Sequence, residues 1–253
     1  MLRALAGGAL FGEVWGDTPA RVLALHGWRR SHRDFDGVVG ASATSGPAPA
    51  VAVDLPGFGA TPAPAEAWGS ADYAALVASV VEADPALAPP VVVVGHSLGG
   101  RIGLVLAASR PDLVRGLVLS GAPVAPRPGP AARPAPAFRL VRSLHRMGLV
   151  GEATMERARQ RHGSEDYRMA QGMMRQVLVR LVGERYDQWL AALRCPVELV
   201  WGDDDRAAPL AVAQAVVSAV PTARLTVCPG AGHLIPLTAA DTLRQAVDRL
   251  LDA

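Results

Sequence analysis

The chain has no lysine: all 25 of its basic residues are arginine. Schiff-base chemistry and serine–lysine catalysis are therefore excluded within it. Cysteine is scarce. Cys195 and Cys228 each stand beside a proline, make no disulfide framework and have no zinc-ligand spacing. They read as small buried hydrophobes. Long polar tracts are missing, and half of the 253 residues are hydrophobic, enough for a sizeable core. The formal net charge is only +2, so no global field for nucleic acid arises. No apolar run suits a membrane span. Met1–Phe11 is apolar, but Gly7-Gly8 interrupts it and Glu13 follows, so it reads as a hairpin rather than a signal peptide. The expectation is a soluble cytoplasmic protein, built as one large domain or one domain with an insertion.

The most informative stretch is Val91-Val92-Val93-Val94-Gly95-His96-Ser97-Leu98-Gly99-Gly100. Four consecutive valines predict a strand buried on both faces, as in a parallel sheet. A sharp turn and a helix follow. Ser97 lies between Gly95 and Gly99, a G-x-S-x-G pattern in strand–turn–helix context, which exposes a nucleophilic Oγ at the carboxyl edge of a sheet. The glycines are needed because a Cβ beside the strained nucleophile would collide across the turn.

Strands are expected at Leu2–Leu5, Ala9–Trp15, Arg21–Leu25, Val51–Leu55, the valine run, Leu117–Leu119, Pro196–Trp201 and Arg224–Val227. Helices are expected at Ser31–Ala41, after Ser70 as a cap, from the serine turn to Ser109, from Pro209 to Val220, and from Thr238 to the end. The alternation breaks once. Residues 126–136 hold five prolines and read as a linker, and Phe138–Leu193 reads as amphipathic helices without a strand. Alternation implies a mostly parallel sheet with helices on both faces, and functional residues then gather beyond the carboxyl ends of its strands. Those ends carry His26-Gly27-Trp28, Ser97, the run Asp203-Asp204-Asp205, and His233. A serine hydroxyl needs a base, and a carboxylate fixes the tautomer of an imidazole base. The order serine, acid, histidine is that of nucleophile-elbow hydrolases, with any of the three aspartates as the acid.

Four blocks now carry a resemblance: Leu25-His26-Gly27-Trp28, Asp54-Leu55-Pro56-Gly57-Phe58-Gly59, the Gly95–Gly100 turn, and Trp201–Asp205 together with Gly230-Ala231-Gly232-His233. Over essentially its whole length the chain resembles the α/β-hydrolase superfamily, in the form of a serine esterase with a helical cap. The resemblance implies an α/β fold with a mostly parallel, doubly wound eight-stranded sheet. It implies a core of residues 1–122 and 194–253 and a cap of residues 123–193. Ser97 matches the nucleophile and His233 the base. Among the aspartates, the family spacing Gly-x-x-Asp-x-x-x-Pro fits Gly202, Asp205 and Pro209, which selects Asp205. The backbone N–H groups of Trp28 and Leu98 match the oxyanion hole. Asp54 is expected to hold the Gly57–Gly59 loop, and His26 and His96 to be structural or pocket-lining.

Arg29, His96 and Met173 are the candidate substrate contacts. Arg30 is expected to face solvent, and Arg101 to be an ion-pair partner. From Arg127 to Arg194 thirteen arginines face six acidic residues, an excess of seven, while the rest of the chain sums to −5. Such a segment suits an anionic or carrier-bound substrate, or is a solvated arginine face. The expected activity is hydrolysis of a carboxylic ester or thioester without metal or organic cofactor. C–C bond hydrolysis, lactonase, amidase and perhydrolase activity would use the same triad. A ligand-binding receptor on the same fold is the reading from another class. Oligomeric state and substrate identity stay open.

Overall fold

The computed structural model describes residues 2–40, 49–126, 136–162 and 165–252. In chain order the elements are β1 (Leu2–Leu5), β2 (Leu10–Trp15), β3 (Ala20–Leu25), α1 (Asp36–Val39), β4 (Ala50–Asp54), α2 (Ser70–Ala83), β5 (Leu87–His96), α3 (Leu98–Ser109) and β6 (Val114–Ser120). Five helices follow without a strand: α4 (Pro136–Arg146), α5 (Glu152–His162), α6 (Glu165–Met169), α7 (Gly172–Val182) and α8 (Asp187–Ala192). The chain ends with β7 (Val197–Gly202), α9 (Leu210–Ala219), β8 (Ala223–Cys228), α10 (Ile235–Thr238) and α11 (Ala240–Asp252).

The eight strands form one sheet in the order β1-β2-β4-β3-β5-β6-β7-β8. Pairing is parallel from β4 to β8, while β2 runs antiparallel to both β1 and β4. This is the mostly parallel eight-stranded sheet the motifs implied. Val91–Val94 lie in its centre and are fully buried. Alternate valines serve opposite faces. Val91 and Val93 pack with α2 and α3 residues such as Val77 and Ile102, whereas Val92 and Val94 pack with Phe35 and the α11 residues Leu243 and Val247. Burying one such side chain contributes about 1.5–3 kcal/mol, so both layers grip this strand.

The chain leaves β3 for β4 on one side, then crosses to β5 on the other. That reversal is a switch point, and a crevice opens beyond the carboxyl ends of β3 and β5. The loops after those two strands carry Trp28 and Ser97.

Several local expectations shift. The strand expected at Leu117–Leu119 runs from Val114 to Ser120, because Val114 pairs with Val91 and Gly116 with Val92 on either side of a bulge at Arg115. The helix expected over Ser31–Ala41 is a 3₁₀ turn (His32–Phe35) followed by α1; Ala41 and the linker residues 127–135 lie outside the described residues. Ser70 does not cap α2. Gly69 precedes the helix, its N–H donates to the Asp72 carboxylate (2.8 Å), and the Ser70 hydroxyl turns to Glu184 (2.6 Å). The last helix is preceded by the short α10, which no motif announced. Both cysteines are buried and unpaired. Among the described residues no helix is long and apolar enough to cross a membrane.

Candidate active site

The turn between β5 and α3 is built by exclusion. A Cβ at Gly95 would meet the Gly99 carbonyl oxygen at 2.5 Å, and one at Gly99 would meet the Leu25 carbonyl oxygen at 1.9 Å. Only glycine allows the helix to start this close to β3 and β5. The Ser97 backbone absorbs the reversal at φ +51°, ψ −105°, a conformation non-glycine residues occupy only when their surroundings impose it. Two hydrogen bonds impose it here, from Ser97 N–H to the Ser120 carbonyl (2.9 Å) and from Gly99 N–H to the His26 carbonyl (3.0 Å). The N–H groups of Trp28 and Leu98 have no hydrogen-bond partner among the described residues.

Across the carboxyl edge, His233 Nδ1 lies 2.8 Å from Asp205 Oδ2. The other oxygen of Asp205 accepts from the N–H groups of Ala207 (2.9 Å) and Ala208 (2.8 Å). Burial alone would push this carboxyl up. The hydrogen bonds from His233, Ala208 and Ala207 outweigh it and hold the group below the usual carboxylate range. The Asp205 side chain is fully buried. Its two neighbours are placed otherwise: Asp203 Oδ1 accepts from the Gly230 N–H (2.7 Å), and Asp204 is exposed beside Arg206.

Ser97 and His233 line one cavity of about 320 Å³ with Trp28, His96, Arg30 and Arg101. Gly121 also lines it and is a residue no motif singles out. Its φ is +55°, and a Cβ there would come within 2.8–3.0 Å of both the His233 and His96 rings. The only signal in the sequence is its place directly after a strand end. Gly121→Ala is expected to displace both imidazoles and lower kcat/KM about 100-fold with the fold retained, because displacements near 1 Å carry such penalties. Steady-state kinetics beside a thermal melt check it; unchanged kinetics would contradict the packing.

Arg30 is partly exposed, as expected, but it also lines the cavity and holds Asp34 through both carboxylate oxygens (2.6–3.0 Å). Among the described residues Arg101 makes no ion pair: Nη1 donates to the Leu181 carbonyl (3.1 Å), and the guanidinium lies 5.8 Å from the Tyr186 ring centroid. Arg29 sits at φ +57°, partly exposed, 3.8–3.9 Å from Asp166 and Glu165 of α6. Met173 is half-buried against the core and is not among the cavity-lining residues, while Met174 packs on Gly57. Asp54 holds the loop that follows it, accepting from Ala60 N–H (2.8 Å) and His32 N–H (2.8 Å). Among the described residues no group of histidine, cysteine or carboxylate side chains is placed to hold a metal.

His26 and His96 are buried beside the turn. His26 Nε2 accepts from the Leu55 N–H (2.9 Å) while Nδ1 donates to the Gly27 carbonyl (2.7 Å), which requires the neutral ring. His96 Nδ1 donates to the Ser120 carbonyl (3.1 Å). Burial pushes His26 down to about 4, and burial with the neighbouring His233 pushes His96 down to about 3. In the unfolded chain each titrates near about 6.5. The unfolded state therefore takes up more protons as pH falls below that value, and stability is lost progressively down to the folded values. Going from about pH 7 to about pH 5 is expected to cost about 2 kcal/mol per histidine, read as a lower denaturation midpoint. An unshifted midpoint would contradict two buried neutral rings.

The fold and the site together define a class. The model of the Alpha/beta hydrolase family matches residues 22–246, and the chain belongs to that family. The chain is 39% identical over 108 residues to the lipase LipV of Mycobacterium tuberculosis, a match covering 40% of this chain and 36% of that protein. It is 33% identical over 207 residues to the pimeloyl-[acyl-carrier protein] methyl ester esterase of Aromatoleum aromaticum, covering 71% of this chain and 78% of the relative. Several other curated relatives are likewise matched over little more than a third of their length. Among solved structures, an esterase from Exiguobacterium antarcticum superposes with a TM-score of 0.72 at 20% identity, covering 96% of each chain.

Proposed function

We propose that the protein is a serine hydrolase of carboxylic esters or thioesters. The observation that carries this reading is that Ser97, on its strained turn, lines one cavity with His233, whose Nδ1 is held by Asp205. Ser97 Oγ attacks the substrate carbonyl carbon while His233 Nε2 takes its proton. The N–H groups of Trp28 and Leu98 receive the developing oxyanion. The proton then passes to the leaving alcohol or thiol, leaving an acyl-enzyme. His233 next takes a proton from water as the oxygen bonds to the acyl carbon, then returns it to Ser97 Oγ as the Oγ–acyl bond breaks, and the free acid leaves. The chemistry so written needs no metal or organic cofactor. The helices between β6 and β7 act as a cap, with Asp166 of α6 reaching the cavity wall.

The arginine excess of the cap and the carrier-protein esterase among the relatives favour a carrier-bound acyl substrate over a free lipid. The test is a panel of p-nitrophenyl esters of increasing chain length beside acyl thioesters of coenzyme A and of an acyl carrier protein. A burst of p-nitrophenol equal to the enzyme concentration is expected. Saturable binding without turnover of any member would overturn hydrolysis in favour of a receptor.

A further inference from the structure

Arg101 lies one helical turn after Ser97, its N–H donating to the Ser97 carbonyl (3.2 Å). Its side chain lines the cavity that holds Ser97 and His233. The other charged groups of that wall are already matched. Arg30 is neutralised by Asp34 at hydrogen-bond distance, and Asp166 lies 3.8 Å from Arg29. Arg101 differs. Its partners are a backbone carbonyl and an aromatic ring, which carry no counter-charge. Its Nε is buried with no hydrogen-bond partner, and it forms no ion pair among the described residues. A full positive charge without a counter-charge thus lines a concave site, where the field of a charge is focused on whatever enters.

The planar guanidinium favours a carboxylate, which can accept two parallel hydrogen bonds. Ser97 and Arg101 line the same cavity of about 320 Å³. A group held by Arg101 therefore sits a few bonds from a carbonyl held at Ser97. We propose that Arg101 receives a carboxylate of the substrate, so that the enzyme selects monoesters and thioesters of short dicarboxylic acids. The Leu181 and Tyr186 contacts hold the guanidinium in place from the cap side. This assignment rests on the hydrolase reading above and gives that site its substrate class.

The experiment compares mono-p-nitrophenyl glutarate with its methyl-capped form, p-nitrophenyl methyl glutarate, on wild type, Arg101→Gln and Arg101→Lys. Wild type is expected to favour the free acid in kcat/KM. The ratio of the two substrates should fall by about 10- to 100-fold in Arg101→Gln and by less in Arg101→Lys. A wild-type ratio at or below one overturns the proposal, as does an equal loss on both substrates, which would make Arg101 a latch between α3 and α7. Should the variants not fold, wild type alone decides. Free glutarate must inhibit hydrolysis of p-nitrophenyl butyrate at least tenfold more strongly than free butyrate does; equal inhibition overturns the assignment. If wild type hydrolyses neither ester, the hydrolase reading fails separately. A rise in melting temperature with glutarate and not with butyrate would then still support Arg101, and no rise would overturn it.

Discussion

Ser97→Ala is expected to lower ester turnover by about 10⁴- to 10⁶-fold and to abolish covalent labelling by a fluorophosphonate. The hydroxyl is the only group of Ser97 that the mechanism uses. The two hydrogen bonds that shape the turn, Ser97 N–H to Ser120 and Gly99 N–H to His26, involve backbone alone and survive the substitution. Alanine at φ +51° is as strained as serine, so the melting temperature should stay nearly constant. A loss of activity in Ser97→Ala then reports chemistry rather than unfolding. The double variant Ser97→Ala/His233→Ala should fall little further, because nucleophile and base act as one unit. Losses that multiply would sink the assignment, and a wild type that resists the fluorophosphonate would do so more directly.

Asp205→Asn should lower kcat about 10⁴-fold with the protein folded, for a reason the hydrogen bonds make specific. Oδ1 accepts from two backbone N–H groups, those of Ala207 and Ala208. An asparagine must offer its carbonyl oxygen to that pair, since its NH₂ would face two donors. The NH₂ then faces His233 Nδ1 in place of Oδ2 and can only donate. The ring is driven to the tautomer with its proton on Nε2, where it cannot accept the Ser97 proton. Kinetics measures the loss, and ¹⁵N NMR of the His233 ring reads the tautomer. An unchanged tautomer, or a loss below tenfold, would refute this role. Asp204→Asn is the control: the residue is exposed beside Arg206, and turnover should change by less than about threefold.

Much of this architecture was legible because the site lies on main-chain features with local signatures. The valine run, the glycines around Ser97 and the strand–helix alternation each state a constraint within a few residues. The partners of the two cavity arginines differ in how far the sequence announces them. Arg30 and Asp34 are four apart, a spacing that could have announced their pairing. Arg101 meets Leu181 and Tyr186, about 80 residues downstream, and no local pattern encodes that meeting. Ser70 reads as a helix cap for the same reason, since its partner Glu184 lies 114 residues away. Gly121 was hidden because its steric reason resides in two imidazoles from other loops.

The Ser70–Glu184–Tyr186 cluster bears on how such a molecule diversifies. Glu184 accepts from the Ser70 N–H and hydroxyl, and the Tyr186 hydroxyl reaches both side chains (2.7–2.8 Å). The chain returning from α7 is thereby pinned to the start of α2 before it re-enters the sheet, and Arg180 adds a pairing with Asp72 (3.0 Å). Helices α4–α6 lie upstream of this pin. Their sequence can be exchanged, lengthened or recombined with that of a relative while the return path stays fixed. The return path into the sheet is thus held independently of α4–α6, and chimaeras joined just before Gly172 are the natural place to exploit that separation.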